Sequence, residues 1–517
     1  MILIQRLKHL SQFNILGNFM DRLAGVILHP SSFPSDHGIG NFSESAYQFI
    51  DVIAESGFKL WQMCPLGPTS YGDSPYQCFS AFAGNPYLIN WNKLIENGYI
   101  EKEDISDLEM LPKDKVDYGA LFSVFWPIVD KAFIGFKKEL EKSKELKTEI
   151  DNFYKLHDYW LYDYCNFRAL KERFGNRSHL EWKNKAESKN ANLNKRKYFF
   201  ISAEAEKHAF TQFIFYQQFY QLKQYANDKG IQLIGDLPIF VALDSADVWA
   251  NPTLFDLNSE GLPNKLAGVP PDYFSEDGQL WGNPLFDWKA HKKEKFKWWT
   301  QRIKHNLELY DCVRIDHFRG FESCWAVPAL ETTAINGEWE KAPGSELFNT
   351  IKTQVEDISI IAEDLGVITP EVEVLLAETQ FPGMAVLQFA FGDDANNPYL
   401  PHNLKRNQVV YSGTHDNDTS LAWYDSLPQN TQDHVRHYLG VSGKNIGWDL
   451  FRASIKSVAN YAIVPMQDLF SLGTEARFNN PGTESGNWIW RYSPEDLEAF
   501  FHDSHAYVND ILKCYGR

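Results

Sequence analysis

No run of 18 apolar residues occurs in this sequence, so the simplest signature of a membrane-spanning helix is missing. Residues 1–20 also lack the apolar core and small-residue cleavage site of a secretory signal, and they hold too little Ser and Arg for a typical transit peptide. They read as a disordered extension or an overextended start, with Met20 directly ahead of the first clear element. A cytoplasmic location is expected, with the plastid as the alternative. Cysteine is scarce: the six residues Cys64, Cys78, Cys165, Cys312, Cys324 and Cys514 form no CxxC pair, which fits free thiols in a reducing compartment. There is no GxGxxG or GxxxxGK[ST] loop for a nucleotide and no HxH or HExxH spacing for a metal, so no cofactor and no metal are expected. Positive charge is in deficit, with 50 Lys and Arg against 68 Asp and Glu. The net charge of −18 would repel phosphate backbones and anionic membranes, which argues against nucleic-acid and membrane partners and for a neutral ligand.

What the chain has is length, aromatics and a strand-helix rhythm. Its 517 residues are about twice the roughly 250 of a minimal (β/α)8 barrel, so large insertions are expected. Aromatics make up 15% of the chain, enough to fill a core and still offer flat faces to sugars. Strand-like segments fall at Gly25–Leu28, Lys59–Met63, Ile231–Ile234, Cys312–Ile315, Ser359–Ala362, Ala385–Phe389, Gln408–Tyr411 and Ala462–Pro465. Helical patterns separate most of them, such as Phe42–Ser56 stopped by Gly57, and a helix opened by Thr369-Pro370. Between the second and third strands, residues 92–205 turn Lys- and Glu-rich with helical periodicity. Eight strands in series predict an α/β fold, a (β/α)8 TIM barrel with large, mainly helical insertions at the C-terminal face, as a single domain over residues 21–517.

Four of these segments end on acids: Asp236, Asp316, Glu363 and, after a short turn, Asp416. A parallel barrel gathers its strand ends on one face, so these carboxyl groups are expected to converge. Acetal cleavage with retention needs one carboxylate to meet the cationic sugar carbon and a second carboxyl group to protonate the leaving oxygen. Arg314, two residues before Asp316, shares its face by strand alternation and is expected to keep that aspartate ionised. Asp316 is therefore the candidate nucleophile. Glu363, one strand over and without such an arginine, is the candidate acid, and His415-Asp416-Asn417 adds a trio suited to sugar hydroxyls. Taken singly, each acid is equally well explained as a helix cap or an ion-pair partner; the argument rests on four of them together.

The segments 67–76 (GPTSYGDSPY), 235–240 (GDLPIF), 314–320 (RIDHFRG), 362–366 (AEDLG) and 413–417 (GTHDN) resemble, in order and spacing, those of the 4-alpha-glucanotransferase family, also called amylomaltases or disproportionating enzymes. The likeness runs from about Arg22 to Trp490 and extends to the wider alpha-amylase superfamily. It implies transfer of α-1,4-glucan segments between maltooligosaccharides or starch and glycogen chains, with glucose as an acceptor, through a covalent glycosyl-enzyme. By motif, Asp316 resembles the nucleophile, Glu363 the acid/base and Asp416 the third carboxylate. Tyr76, Ser74, Asp236, Trp281, Arg314, His415, Asp393 and Asn479 resemble substrate contacts. Two departures stand out: Leu-Pro-Ile-Phe follows Asp236 where the superfamily's hydrolases carry Asn-His, and Phe478 stands where the family writes Met.

Transfer must outrun hydrolysis by water at tens of molar, which requires roughly a 10⁴-fold bias, or about 5.5 kcal/mol in relative barriers. The Gly/Pro-bounded stretch 258–284, with Tyr273 and Trp281, resembles the family's loop over the site, where it would exclude water and hold acceptor glucose. A hydrolase of the same superfamily and a non-catalytic glucan-binding protein are the alternatives.

Overall fold

A computed structural model describes residues 22–70, 72–182, 199–271, 275–483 and 485–517. The expected extension at 1–20, and Tyr71 and Tyr273, lie outside the described residues. Eight parallel strands form the centre: β1 Leu23–Ile27, β2 Leu60–Gln62, β3 Gln232–Pro238, β4 Cys312–Asp316, β5 Ile360–Ala362, β6 Gly383–Val386, β7 Gln408–Tyr411 and β8 Tyr461–Pro465. Each predicted strand is present, the sixth displaced toward Gly383. Side by side they run β6-β7-β8-β1-β2-β3-β4-β5, so β8 pairs with β1 and the sheet order is that of a barrel.

The seam between β5 and β6 closes in an unusual way. The Ala362 N–H donates to the Pro382 carbonyl at 2.9 Å, and the next rung is made by a side chain, Asp364 Oδ1 accepting from the Met384 N–H at 2.6 Å. Gly383 is required there, because a Cβ would lie 2.4 Å from the Asp364 carboxylate. Burial pushes the Asp364 carboxyl group up to about 6.

Alternation sorts the strand residues into two layers. Ile27, Leu60, Ile234, Cys312, Ile361, Met384, Val386, Val409, Tyr411, Tyr461 and Ile463 fill the barrel interior. Their neighbours, such as Val26, Leu233, Val313, Ala385, Val410 and Val464, pack outward into the larger core shared with the helices. The helix Glu44–Glu55 buries Ala46, Phe49, Ile50 and Ile53 on one side, as its spacing predicts, and Gly57 follows it at φ +92°.

Between β2 and β3 stand helices Trp91–Glu96, Tyr118–Lys142, Lys144–Leu156, Leu161–Arg173 and Ala203–Asp228. The helical run within this stretch is interrupted at residues 157–160, between Lys144–Leu156 and Leu161–Arg173. By length and composition Tyr118–Lys142 is apolar enough to cross a membrane, a property that a search for unbroken apolar runs overlooks. Its stripe Leu121, Phe125, Ile128, Val129, Ala132 and Phe136 is nevertheless buried, with Phe136 centred 4.7 Å from Phe210 of the helix Ala203–Asp228.

The stretch 258–284, read as a loop over the site, contains two strands of its own. Lys265–Val269 and Gln279–Pro284 are antiparallel strands, joined by Ser323–Pro328 and Glu338–Lys341 in a second, four-stranded sheet. The partner strands come from the insertion after β4, too distant for local pattern to reveal.

Candidate active site

The C-terminal ends of β3, β4 and β5 deliver three of the four acids by register alone. Asp236 on β3 lies opposite Arg314 on β4, and Ile315 opposite Ala362 on β5, which sets Asp316 and Glu363 at adjacent strand ends. Cys312, Arg314 and Asp316 alternate onto one face, so the guanidinium rises from the apolar barrel interior into the cluster. Its Nη1 donates to both Asp236 oxygens at 2.8 and 2.6 Å, and its Nη2 lies 3.0 Å from Asp316 Oδ1. Fully enclosed among carboxylates, Arg314 is held charged, its pKa well above the usual value despite burial.

The expectation that Arg314 would leave Asp316 with a low pKa is not met. Burial dominates, the guanidinium lowers the pKa, and the charges of Asp236 and Asp416 add to burial, so Asp316 is pushed up to about 6. Glu363 is raised further, to about 7, by burial first and then by the Asp316 charge. Two backbone N–H groups oppose that rise: Leu365 donates to Oε1 at 2.8 Å and His317 to Oε2 at 2.6 Å. The two acids thus sit one strand apart, both disfavoured as anions, with only one beside a fixed cation.

The loop after β2 contributes Tyr76. Its hydroxyl donates to Asp236 Oδ2 at 2.8 Å and its ring stacks on His415 at 4.8 Å and 19°. Ser74 Oγ accepts the Tyr76 N–H at 3.2 Å and fixes the turn. His415 Nδ1 lies 3.2 Å from the same tyrosine oxygen and Nε2 lies 3.3 Å from Asp416 Oδ2. Since the tyrosine proton is given to Asp236, both ring nitrogens face acceptors, which suits an imidazolium. Burial opposes that charge, but Asp416 outweighs it and raises the His415 pKa. Reciprocally, His415, Asn479 and Arg314 outweigh the partial desolvation of Asp416, which is half-buried, and hold it far below the usual carboxylate range. Asn479 Nδ2 donates to Asp416 Oδ1 at 2.7 Å, and Arg477 donates to the Asp416 and Asn479 carbonyls at 2.8 and 2.7 Å. The substituted Phe478 is buried and stacks on Trp488, whose ring lies 5.7 Å from Tyr76 and 5.8 Å from His415.

Trp281, on the second sheet, meets His317 edge to face at 4.8 Å, which brings that sheet to the end of β4. Gln77 donates to the Trp281 carbonyl at 3.3 Å and to Asn283 Oδ1 at 3.1 Å, tying it to the Tyr76 loop. Asp393 stands apart. It lies exposed in the loop after β6, where Asn397 donates to it at 3.4 Å, and no contact among the described residues joins it to the cluster.

Sequence reasoning passed over His317, Arg477, Trp488, Gln77 and Leu365. Only His317 carried a usable signal, its place directly after the nucleophile candidate; backbone donors such as Leu365 carry none. Among the described residues no group of three or more His, Cys, Asp or Glu is placed to hold a metal ion, and all six cysteines are free.

A family model described as 4-alpha-glucanotransferase matches residues 28–497. The chain is similar to a 4-alpha-glucanotransferase of Thermus thermophilus, 46% identical over 92% of this chain and 96% of that one. It is also similar to the chloroplastic/amyloplastic 4-alpha-glucanotransferase of Solanum tuberosum, 43% identical over 96% of this chain and 86% of the relative. Among solved structures, an amylomaltase from Streptococcus agalactiae in complex with acarbose superposes with a TM-score of 0.90 and 40% identity, covering 96% of this chain and 99% of that one.

Proposed function

From the premise that the chain belongs to the 4-alpha-glucanotransferase family, glycoside hydrolase family 77, we propose that it moves α-1,4-glucan segments between maltooligosaccharide or longer glucan chains by a double displacement on Asp316. The observation that carries this reading is the pairing of Asp316 and Glu363 at adjacent strand ends, with Arg314 beside the first alone.

In the first half, a carboxylate oxygen of Asp316 attacks the anomeric carbon while Glu363 gives its proton to the departing glycosidic oxygen. The shorter glucan leaves with a new hydroxyl, and the donor segment stays as an ester on Asp316. That ester has no negative charge, so the largest electrostatic support for the Glu363 proton disappears and its pKa falls. Glu363 then takes the proton of an acceptor hydroxyl, which attacks the anomeric carbon and releases Asp316. Asp416, ionised and rigidly held by His415 and Asn479, is placed to take sugar-ring hydroxyls, and Tyr76 to stack against the ring. Trp281 offers an apolar face on the acceptor side and displaces water there. Free glucose is proposed as one acceptor. Six free thiols suit a reducing compartment, the cytoplasm or a plastid.

Incubation with maltotriose and isotopically labelled glucose should yield a ladder of shorter and longer oligosaccharides, with the label entering their reducing ends. Production of maltose and glucose alone, with no labelled oligomer, would assign the chain to the hydrolases.

The kcat/KM profile should be a narrow bell. Asp316 must be ionised, so activity falls as the pH drops through a value near 6; Glu363 must keep its proton, so it falls again as the pH rises through about 7. The two limbs belong to the pair jointly. An acid limb near the ordinary aspartate value of about 3.9 would contradict the burial argument.

A further inference from the structure

The turn that carries His415 and Asp416 runs from Ser412, the first residue past β7, to Ser420, the first residue of the helix Ser420–Ser426. Both of its ends are tied to one side chain. Asp468, in the short helix Met466–Leu469 that follows β8, accepts the Ser412 hydroxyl on Oδ2 at 2.8 Å and the Ser420 hydroxyl on the same oxygen at 2.6 Å. Its Oδ1 accepts the Ser420 N–H at 2.7 Å. All three residues are buried, the two serines completely. Burial pushes the Asp468 carboxyl group up, and the Ser420 and Ser412 donors oppose the rise.

A buried carboxylate is a costly way to join two serines, since well-packed apolar groups of the same volume serve stability as well or better. What it supplies is geometry. It only accepts, so both hydroxyls must point at it, and neither end of the turn shifts without the other. Its own backbone is firmly seated: the helix Ile446–Lys456 packs so closely that a Cβ at Gly447 would lie 2.8 Å from the Asp468 carbonyl oxygen. Between the clasped ends the turn braces itself, with Asn417 Oδ1 accepting from both the Thr414 N–H and the Thr414 hydroxyl at 2.9 Å. The Asp416 carboxylate that it presents is half exposed, so no packed wall fixes it from the cleft side.

We infer that Asp468 is a positioning residue for Asp416: by taking Ser412 and Ser420 together, its buried carboxylate ties the two ends of the turn that presents Asp416 to the sugar. This rests on the reading of Asp416 as the carboxylate that takes ring hydroxyls, a grip that counts toward rate as it tightens in the transition state.

A double-mutant cycle tests it. Ser412→Ala removes one end of the clasp, and Asp468→Asn keeps its shape but sets an amide NH2 against groups that donate. Each is measured on maltotriose in wild type and in an Asp416→Asn background. In wild type, Ser412→Ala is expected to lower kcat by about tenfold and Asp468→Asn by at least as much, with KM changed by less than about threefold. In the Asp416→Asn background each should cost less than about twofold, because the group they position is already gone. Melting temperature should fall by a similar few degrees in both backgrounds, whereas a merely structural role would make the losses of kcat equal as well. Equal losses of kcat in both backgrounds, or Ser412→Ala turnover within about twofold of wild type, would overturn the inference. Ser412→Ala carries the test alone should Asp468→Asn not fold. Asp416→Asn by itself tells the failures apart: turnover within about tenfold of wild type would mean that the role given to Asp416 is what has failed.

Discussion

Asp316→Asn is expected to lower kcat on maltotriose by on the order of 10⁴-fold or more while leaving glucan affinity and melting temperature close to wild type. The amide has the shape of the carboxylate but lacks its negative charge, so its oxygen is a poor nucleophile and no ester forms. The fold should tolerate the change, because the buried guanidinium of Arg314 keeps both oxygens of Asp236 and is not left as an unpaired charge. The amide oxygen can still accept from Nη2. A second effect has a fixed sign: without the negative charge of Asp316, Glu363 loses one of the two causes that raise its pKa, so its carboxyl group should titrate at lower pH in the variant. Carbon-13 NMR of labelled glutamate would read that directly, and calorimetry with a maltooligosaccharide would read binding. Turnover within tenfold of wild type would remove Asp316 from the nucleophile's role, whereas lost binding with lost activity would make it a structural partner of Arg314.

The parts of this arrangement legible in the sequence were those governed by short-range periodicity. Eight apolar runs of strand length, each ending on or followed within three residues by Gly, Pro or an acid, were enough to place the barrel, and alternation was enough to put Arg314 and Asp316 on one face. The second sheet was not legible. Lys265–Val269 and Gln279–Pro284 are short and Gly-punctuated, and pairing with Ser323–Pro328 is a long-range event that leaves no local period. The electrostatics were legible only in part. The Arg314 contact with Asp316 was correctly anticipated, yet the sign of the Asp316 shift was not, because spacing along a strand says nothing about desolvation or about Asp236 and Asp416 arriving from other strands. The two peptide donors to Glu363, the N–H groups of His317 and Leu365, were invisible for a simpler reason: every residue but proline has an N–H, and the residue type does not say where it points.

Glu363→Gln should divide the reaction in two. On maltotriose the variant is expected to fall by about 10³-fold, within the range that general acid–base groups contribute, because the departing glucan hydroxyl leaves poorly as an alkoxide. α-Glucosyl fluoride needs no proton at the leaving atom, so Asp316 should still displace fluoride and form the ester. Its breakdown then stalls, since the amide cannot deprotonate an incoming acceptor. The expected record is therefore a burst of about one fluoride per enzyme followed by a slow phase, the signature of a trapped covalent intermediate. Added azide should speed the slow phase and appear in an α-glucosyl azide, because an anion already holds the electron pair it uses to displace Asp316 from the anomeric carbon. The amide carries its own cost: its NH2 faces either the His317 or the Leu365 N–H, two donors where a donor and an acceptor stood, and a lost hydrogen bond of this kind removes about 1–3 kcal/mol of stability. A melting temperature lowered by a few degrees is thus compatible with the acid role. Loss of the fluoride burst together with no response to azide would not be, and would place the proton transfer on another group.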